Sequence, residues 1–260
     1  MNQKFKRQII LAICISLILV ACNGNDKKEE KTATTDTTKT EAVQPTTTPN
    51  NADMDAVKVA PNLYKVVKDT LGIRIVEVNY KPGDSSALHW HPDYAVYAIE
   101  GGTATFYAKD GSSMINEMKK GMVMIRPGEW HSVKNTGKTN IHVLLVEVNR
   151  SGQATPMDAS LDATKVAPNL YKSVADTMGI RVLEINYKPG QSSAMHAHPD
   201  AVLYVIDPAT SEFTGKDGKK TVMKLGKGMT AFVPADTHSV KNIGNTTVKA
   251  ILVEVNRAMK

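Results

Sequence analysis

The 260-residue chain is poor in cysteine, in aromatic side chains and in long apolar runs, and each shortage excludes something. Its only cysteines are Cys14 and Cys22, so everything beyond Cys22 is without disulfides and without thiol catalysis. The longest apolar run, Ile9 to Val20, holds about a dozen residues where a bilayer span needs about 20, so it is too short for a transmembrane helix. No stretch sustains a helical period. There is no obvious nucleophile set, no paired carboxylates and no Gly-rich phosphate loop. The formal net charge of +6 falls to +3 once Lys4, Lys6 and Arg7 are set aside, and the remaining lysines are scattered, which argues against a nucleic-acid partner.

What is present begins with a targeting pattern. Lys4, Lys6 and Arg7, then the short apolar run, then Leu19-Val20-Ala21-Cys22 read as a secretory signal over residues 1–21. The last four residues resemble the bacterial lipobox, and the resemblance implies a lipidated Cys22 holding the chain to a membrane of the cell envelope. Asn23 stands where an inner-membrane retention Asp would be, which favours the outer membrane and leaves the leaflet open. Residues 22–56 are rich in Thr, Lys, Glu, Asp, Asn and Pro, and such a segment reads as a disordered tether.

An internal repeat organises the rest. Lys58-Val59-Ala60-Pro61-Asn62-Leu63-Tyr64-Lys65 recurs unchanged as Lys165 to Lys172, and the same shift of 107 positions aligns the chain through Arg150 and Arg257 with about half the positions identical. A period this long means two whole domains rather than a solenoid. The predicted divisions are a first domain at 57–150, a small-residue linker at 151–164 and a second domain at 165–260. Each copy holds short β-branched or apolar runs separated by Gly, Pro, Asn and Asp, for example Ile73 to Tyr80, Ala95 to Ile99 and Ile141 to Val148. The fold class is therefore all-β, a sandwich or jelly-roll barrel in each copy.

Six of the seven histidines fall in register across the repeat: His89, His91 and His131 with His196, His198 and His238. Strand residues two apart share a face, so His89 and His91 project together, and a third imidazole from another strand completes a three-nitrogen face. Such a face suits Fe, Mn, Zn, Ni or Cu and leaves coordination positions free. His142 has no counterpart and is predicted to be an exposed strand residue. Trp90, pointing away from His89 and His91, is expected to pack between the domains.

Gly83 with His89-Trp90-His91, and Gly190 with His196-Ala197-His198, resemble the first motif of the cupin superfamily. Pro127-Gly128 with His131 to Asn135, and Pro234 with His238 to Asn242, resemble the second. The resemblance implies two tandem double-stranded β-helix barrels that pair within the chain, compatible with a monomer, and a divalent metal on each histidine trio. The chain departs from the family pattern where most metal-binding members carry Glu: Ala95 and Val96, or Val202 and Leu203, stand there. The nearest acids, Asp93 and Asp200, sit in His-Pro-Asp turns and are not expected to be ligands.

The first copy is the richer around its histidines. Tyr94, Arg126 and Glu129 are the candidates for handling a substrate, Arg126 as a clamp for carboxylate or phosphate oxygens and Tyr94 or Glu129 as proton carriers. Two functions stay open: a metal-dependent, dioxygenase-like enzyme acting on a small polar molecule, or a non-catalytic module of the envelope, either capturing a small molecule or purely structural.

Overall fold

The structure, a computed structural model, describes residues 50–154 and 156–259; the predicted signal, Cys22 and residues 22–49 of the predicted tether lie outside these. Among the described residues no helix is long and apolar enough to cross a membrane.

The first repeat starts with a single helical turn, α1 (Ala56–Val59), and continues as nine strands. These are β1 (Tyr64–Thr70), β2 (Ile73–Tyr80), β3 (His89–His91), β4 (Asp93–Glu100), β5 (Gly102–Ala108), β6 (Ser113–Met118), β7 (Val123–Arg126), β8 (Glu129–Asn135) and β9 (Ile141–Val148). They form a five-stranded sheet in the order β1-β2-β9-β4-β7 and a four-stranded sheet in the order β3-β8-β5-β6. The second repeat copies this. After α2 (Ala163–Val166) come β10 (Tyr171–Thr177), β11 (Ile180–Tyr187), β12 (His196–His198), β13 (Ala201–Asp207) and β14 (Ala209–Gly215). They are followed by β15 (Lys220–Leu225), β16 (Thr230–Val233), β17 (Asp236–Asn242) and β18 (Val248–Val255). The sheet orders are β10-β11-β18-β13-β16 and β12-β17-β14-β15. All strand pairs are antiparallel.

Strand alternation sends side chains to two different cores. From β2, Val76, Val78 and Tyr80 enter the first barrel with Tyr64, Val96, Val133 and Leu145. Ile73 and Ile75 point the other way, where they join Ala95, Tyr97, Leu144 and Val146, and with Ile180, Val182, Val202, Tyr204, Ile251 and Val253 of the second barrel form one shared cluster. The larger sheets of the two barrels therefore meet back to back. Central strands such as β9 are covered on both faces, which explains its nearly unbroken apolar run.

Two arginines tie the barrels. Arg150 Nη2 donates to Asp200 at 2.8 Å and Arg257 Nη1 to Asp93 at 2.8 Å, a reciprocal exchange across the interface. Asp93 and Asp200 each also accept a backbone N–H, from Gly128 at 2.7 Å and Ala235 at 2.8 Å. Neither aspartate reaches into its barrel, as their His-Pro-Asp setting suggests. Arg150 Nε further binds the carbonyl of Leu71, whose φ of 48° together with Gly72 at 68° makes the tight β1–β2 turn. A Cβ at Gly72 would stand 3.1 Å from Arg150 Cγ and at a φ of 68°, so both the turn and the arginine favour glycine there.

The ordered frame of each barrel begins before the repeat limits read from sequence. Asp55, at the end of the predicted tether, accepts from Val57 N and caps α1; Asp162, in the predicted linker, does the same for α2 through Thr164 N. Trp90 does not lie between the barrels. It packs at a tilt against Trp130, ring centroids 5.7 Å apart, over Gly128, because β3 belongs to the smaller sheet and only the larger sheets face each other.

Candidate metal centres

Register builds the trios. In the β3–β8 pairing His89 stands opposite His131, and in β12–β17 His196 stands opposite His238, so the third ring arrives beside the first by direct strand pairing. The flanking residues Trp90 and Ala197 take the opposite face. In each trio the nearest ring nitrogens lie within 4.8 Å of one another. All six histidines are buried, His238 the least.

The hydrogen-bond network decides which nitrogens can donate electrons. His89 Nδ1 bonds the Ala87 carbonyl at 2.8 Å, so Nδ1 carries the proton and Nε2 presents its lone pair. The Tyr64 hydroxyl donates to that Nε2 at 3.1 Å and accepts from the Tyr80 hydroxyl at 2.9 Å. The second barrel repeats the chain: Tyr187 hydroxyl to Tyr171 hydroxyl to His196 Nε2, both at 2.9 Å. His91 Nδ1 donates to Glu147 Oε1 at 2.6 Å, and His198 Nδ1 to Glu254 Oε1 at 2.6 Å, which frees the other nitrogen of each ring to face its trio.

Glu147 and Glu254 head longer relays. Arg74 Nε donates to Glu147 and Arg74 Nη2 to Asp55 at 2.6 Å; Arg181 does the same between Glu254 and Asp162, the latter at 2.7 Å. Each buried carboxylate is thus held between a guanidinium and an imidazole N–H, the arrangement that orients metal-ligating histidines. None of Tyr64, Arg74 or Glu147 was singled out from sequence. Their signal lay in the repeat, which keeps each of them, and in an acid set inside the apolar run Leu144-Leu145-Val146-Glu147-Val148.

Burial, helped by neighbouring imidazoles, lowers His89 to about 3; burial likewise lowers His196 to about 4. His131 and His238 are lowered by burial as well. These imidazoles are neutral at pH 7. Neutral, inward-facing nitrogens in a threefold set are the donor chemistry a divalent cation requires, and the residues fit one.

The three candidates for substrate handling do converge, but on one another. Glu129 accepts from the Tyr94 hydroxyl at 2.6 Å and from Arg126 Nη2 and Nε at 2.8 and 3.2 Å, and lies 3.6 Å from His131 Nδ1. Burial pushes the Glu129 carboxyl up, but the nearby His131 and the bonds from Arg126 and Tyr94 outweigh it and hold it well below the usual range. Burial and the Glu129 charge raise the Tyr94 phenol well above its ordinary value. Arg126 is consequently not a free clamp, and Glu129 is a weak base. His142 stands apart from the trio, half-buried and bonded to Glu77 at 2.7 Å.

The cavities above the trios differ. The first barrel encloses about 320 Å³, bordered by His91, His131, Tyr94, Arg126, Glu129 and apolar side chains of both sheets. The second encloses only about 70 Å³ above His198 and His238.

Residues 76–147 match the cupin domain family. Among solved structures, an oxalate decarboxylase of Bacillus subtilis studied for its Mn(II) centres aligns with a TM-score of 0.51 at 15% identity, covering 76% of this chain and 73% of that one. A four-residue substitution variant of the same organism's enzyme aligns with a TM-score of 0.52 at 16% identity and the same coverage. No curated protein matches by sequence. Residues 76–147 of the first barrel thus carry the cupin domain pattern, the second barrel is its in-register copy, and the fold of the whole is like that of the aligned structures.

Proposed function

We propose that the chain is an envelope-anchored metalloprotein whose first barrel works on a small organic molecule, and whose second barrel is a metal-bearing partner without substrate space. His89, His91 and His131 would hold the first cation, and His196, His198 and His238 the second. The observation that carries the division is the inequality of cavities above matched trios, about 320 against 70 Å³. At about 30 Å³ per water the smaller one admits about two water molecules.

A bound divalent cation would supply Lewis acidity or oxygen activation, with three neutral ligands leaving it open positions. The protein's own contribution is orientation and exclusion. Glu147 and Ala87 fix the tautomers of His91 and His89, the Tyr64 hydroxyl rests on the His89 Nε2 that a cation would take and would have to yield it, and apolar walls rise above the histidine end. A dioxygenase-like reaction accords with three histidines and no carboxylate. Oxalate decarboxylation is the reaction of the aligned structures, and at 15% identity their likeness extends to the fold.

One observation favours the alternative of capture without catalysis. Tyr94, Glu129 and Arg126 satisfy one another, so none of these three is free to move a proton.

Metal analysis of the purified mature protein tests the reading. About two equivalents of divalent metal are expected, one for each trio, with one lost in His89→Ala/His91→Ala. Protein grown with Fe, Mn, Zn, Ni and Cu that carries none would end it. Palmitate labelling that persists in Cys22→Ala would end the anchoring part.

A further inference from the structure

The first cavity runs from a polar histidine floor, between apolar walls, to the exposed Ser112 and Ser113 and to Asn116. Val78, Val96, Phe106, Met118, Met124 and Val143 border it, and the single guanidinium on its lining, Arg126, is held two-pronged by Glu129. A second anionic group placed against those walls would be buried without a partner, which is costly. A charge at the histidine end would instead meet the divalent cation that the neutral imidazoles leave uncompensated.

We propose that the first barrel takes an organic anion with one oxygen-donor head and an apolar body, filling a space of about ten water-sized groups, in preference to a compact polyanion. This rests on the metal reading of the same trio. The head, such as a 2-oxo carboxylate, sits at His89, His91 and His131; the body lies along β2, β4, β5 and β9 between Val78, Val96, Phe106 and Val143.

The second barrel shows what selects for the body. Where the first has Val78 and Val96, the second has Ile185 and Leu203, and both of these longer side chains border the smaller cavity. Most other exchanges run the other way, Tyr94 to Ala201, Arg126 to Val233, Ile141 to Val248 and Val143 to Ala250, all bordering the smaller cavity, so the added bulk there comes from Ile185 and Leu203. Val78 and Val96 are therefore the specificity-determining positions. The exchange Val78→Ile/Val96→Leu is one that the fold already accommodates in its own second copy.

Calorimetric titration of the metal-loaded full chain with benzoylformate, glyoxylate and oxalate tests this. The first two share a head and differ only in the phenyl body; the third is the compact dianion. Benzoylformate is expected to bind at least tenfold more tightly than glyoxylate or oxalate. Val78→Ile/Val96→Leu should retain its metal and lose that advantage, with glyoxylate affinity unchanged, and His89→Ala/His91→Ala should abolish binding. Equal or tighter binding of oxalate or glyoxylate overturns the proposal, as does a double variant that binds benzoylformate like wild type. A chain that holds metal but binds none of the three also overturns it while sparing the metal reading; a chain that holds no metal overturns both.

Discussion

Glutamine at position 147 removes one charge from the relay behind His91 and almost nothing else. The amide keeps the side-chain volume and can still offer an oxygen to His91 Nδ1, now 2.6 Å from Glu147 Oε1. It cannot at the same time satisfy Arg74, whose other partner is Asp55 at 2.6 Å, as a carboxylate does. The bond from His91 loses its charge assistance, about 1 kcal/mol, and the bond from Arg74 Nε is lost. Loss of such a partner behind a metal-bound imidazole lowers affinity by about 10–100-fold, or about 1.4–2.7 kcal/mol. The measurement is competition against a chelating fluorophore in the full chain, with the second trio disabled by His196→Ala/His198→Ala so that only the first is read. Glu147→Gln should weaken the site by that factor. Glu254→Gln, in the same background, should leave it unchanged, since Glu254 serves His198. Undiminished affinity in Glu147→Gln would refute the relay and reduce the Arg74–Glu147 pair to a structural contact.

Acid should unfold the metal-free protein through its trios. His89 and His196 are held near 3 and 4 by burial, against about 6.5 in an unfolded chain, so their contribution is complete above pH 6.5 and is lost as the unfolded state takes up protons below it. At pH 5 each costs about 2 kcal/mol, and urea midpoints at pH 7 and 5 should differ accordingly; coincident midpoints would contradict the burial argument. Arg150→Met should destabilise by about 2–4 kcal/mol, since this buried guanidinium serves Leu71, Asp200 and the Arg257 carbonyl together. Arg257→Met, more exposed, should cost less by chemical denaturation, and the reverse order would refute the interface reading.

The two-copy organisation, the strand character and the six paired histidines were legible because they are local or periodic properties. His89 and His91 share a face simply because they are two apart on a strand, and a repeat 107 residues long announces itself by identity. The family resemblance rested on the same residues. Tertiary structure alone decided which strands pair, and with that it decided the chemistry behind the trios. Glu147 reaches His91 only because β9 runs beside β4, and Arg74 reaches Glu147 because β2 flanks β9. Trp90 could be placed on a face from sequence, but whether that face met the other barrel depended on which sheet did so. Arg126 and Glu129 were visible as charges three apart; their mutual neutralisation depended on geometry. The cavities, too, were set by sums of side-chain volume across two sheets, with Val78 opposed to Ile185 and Val96 to Leu203. A sequence states the positions that repeat, whereas long-range pairing and packed volume exist only once strands distant in the chain have been brought together.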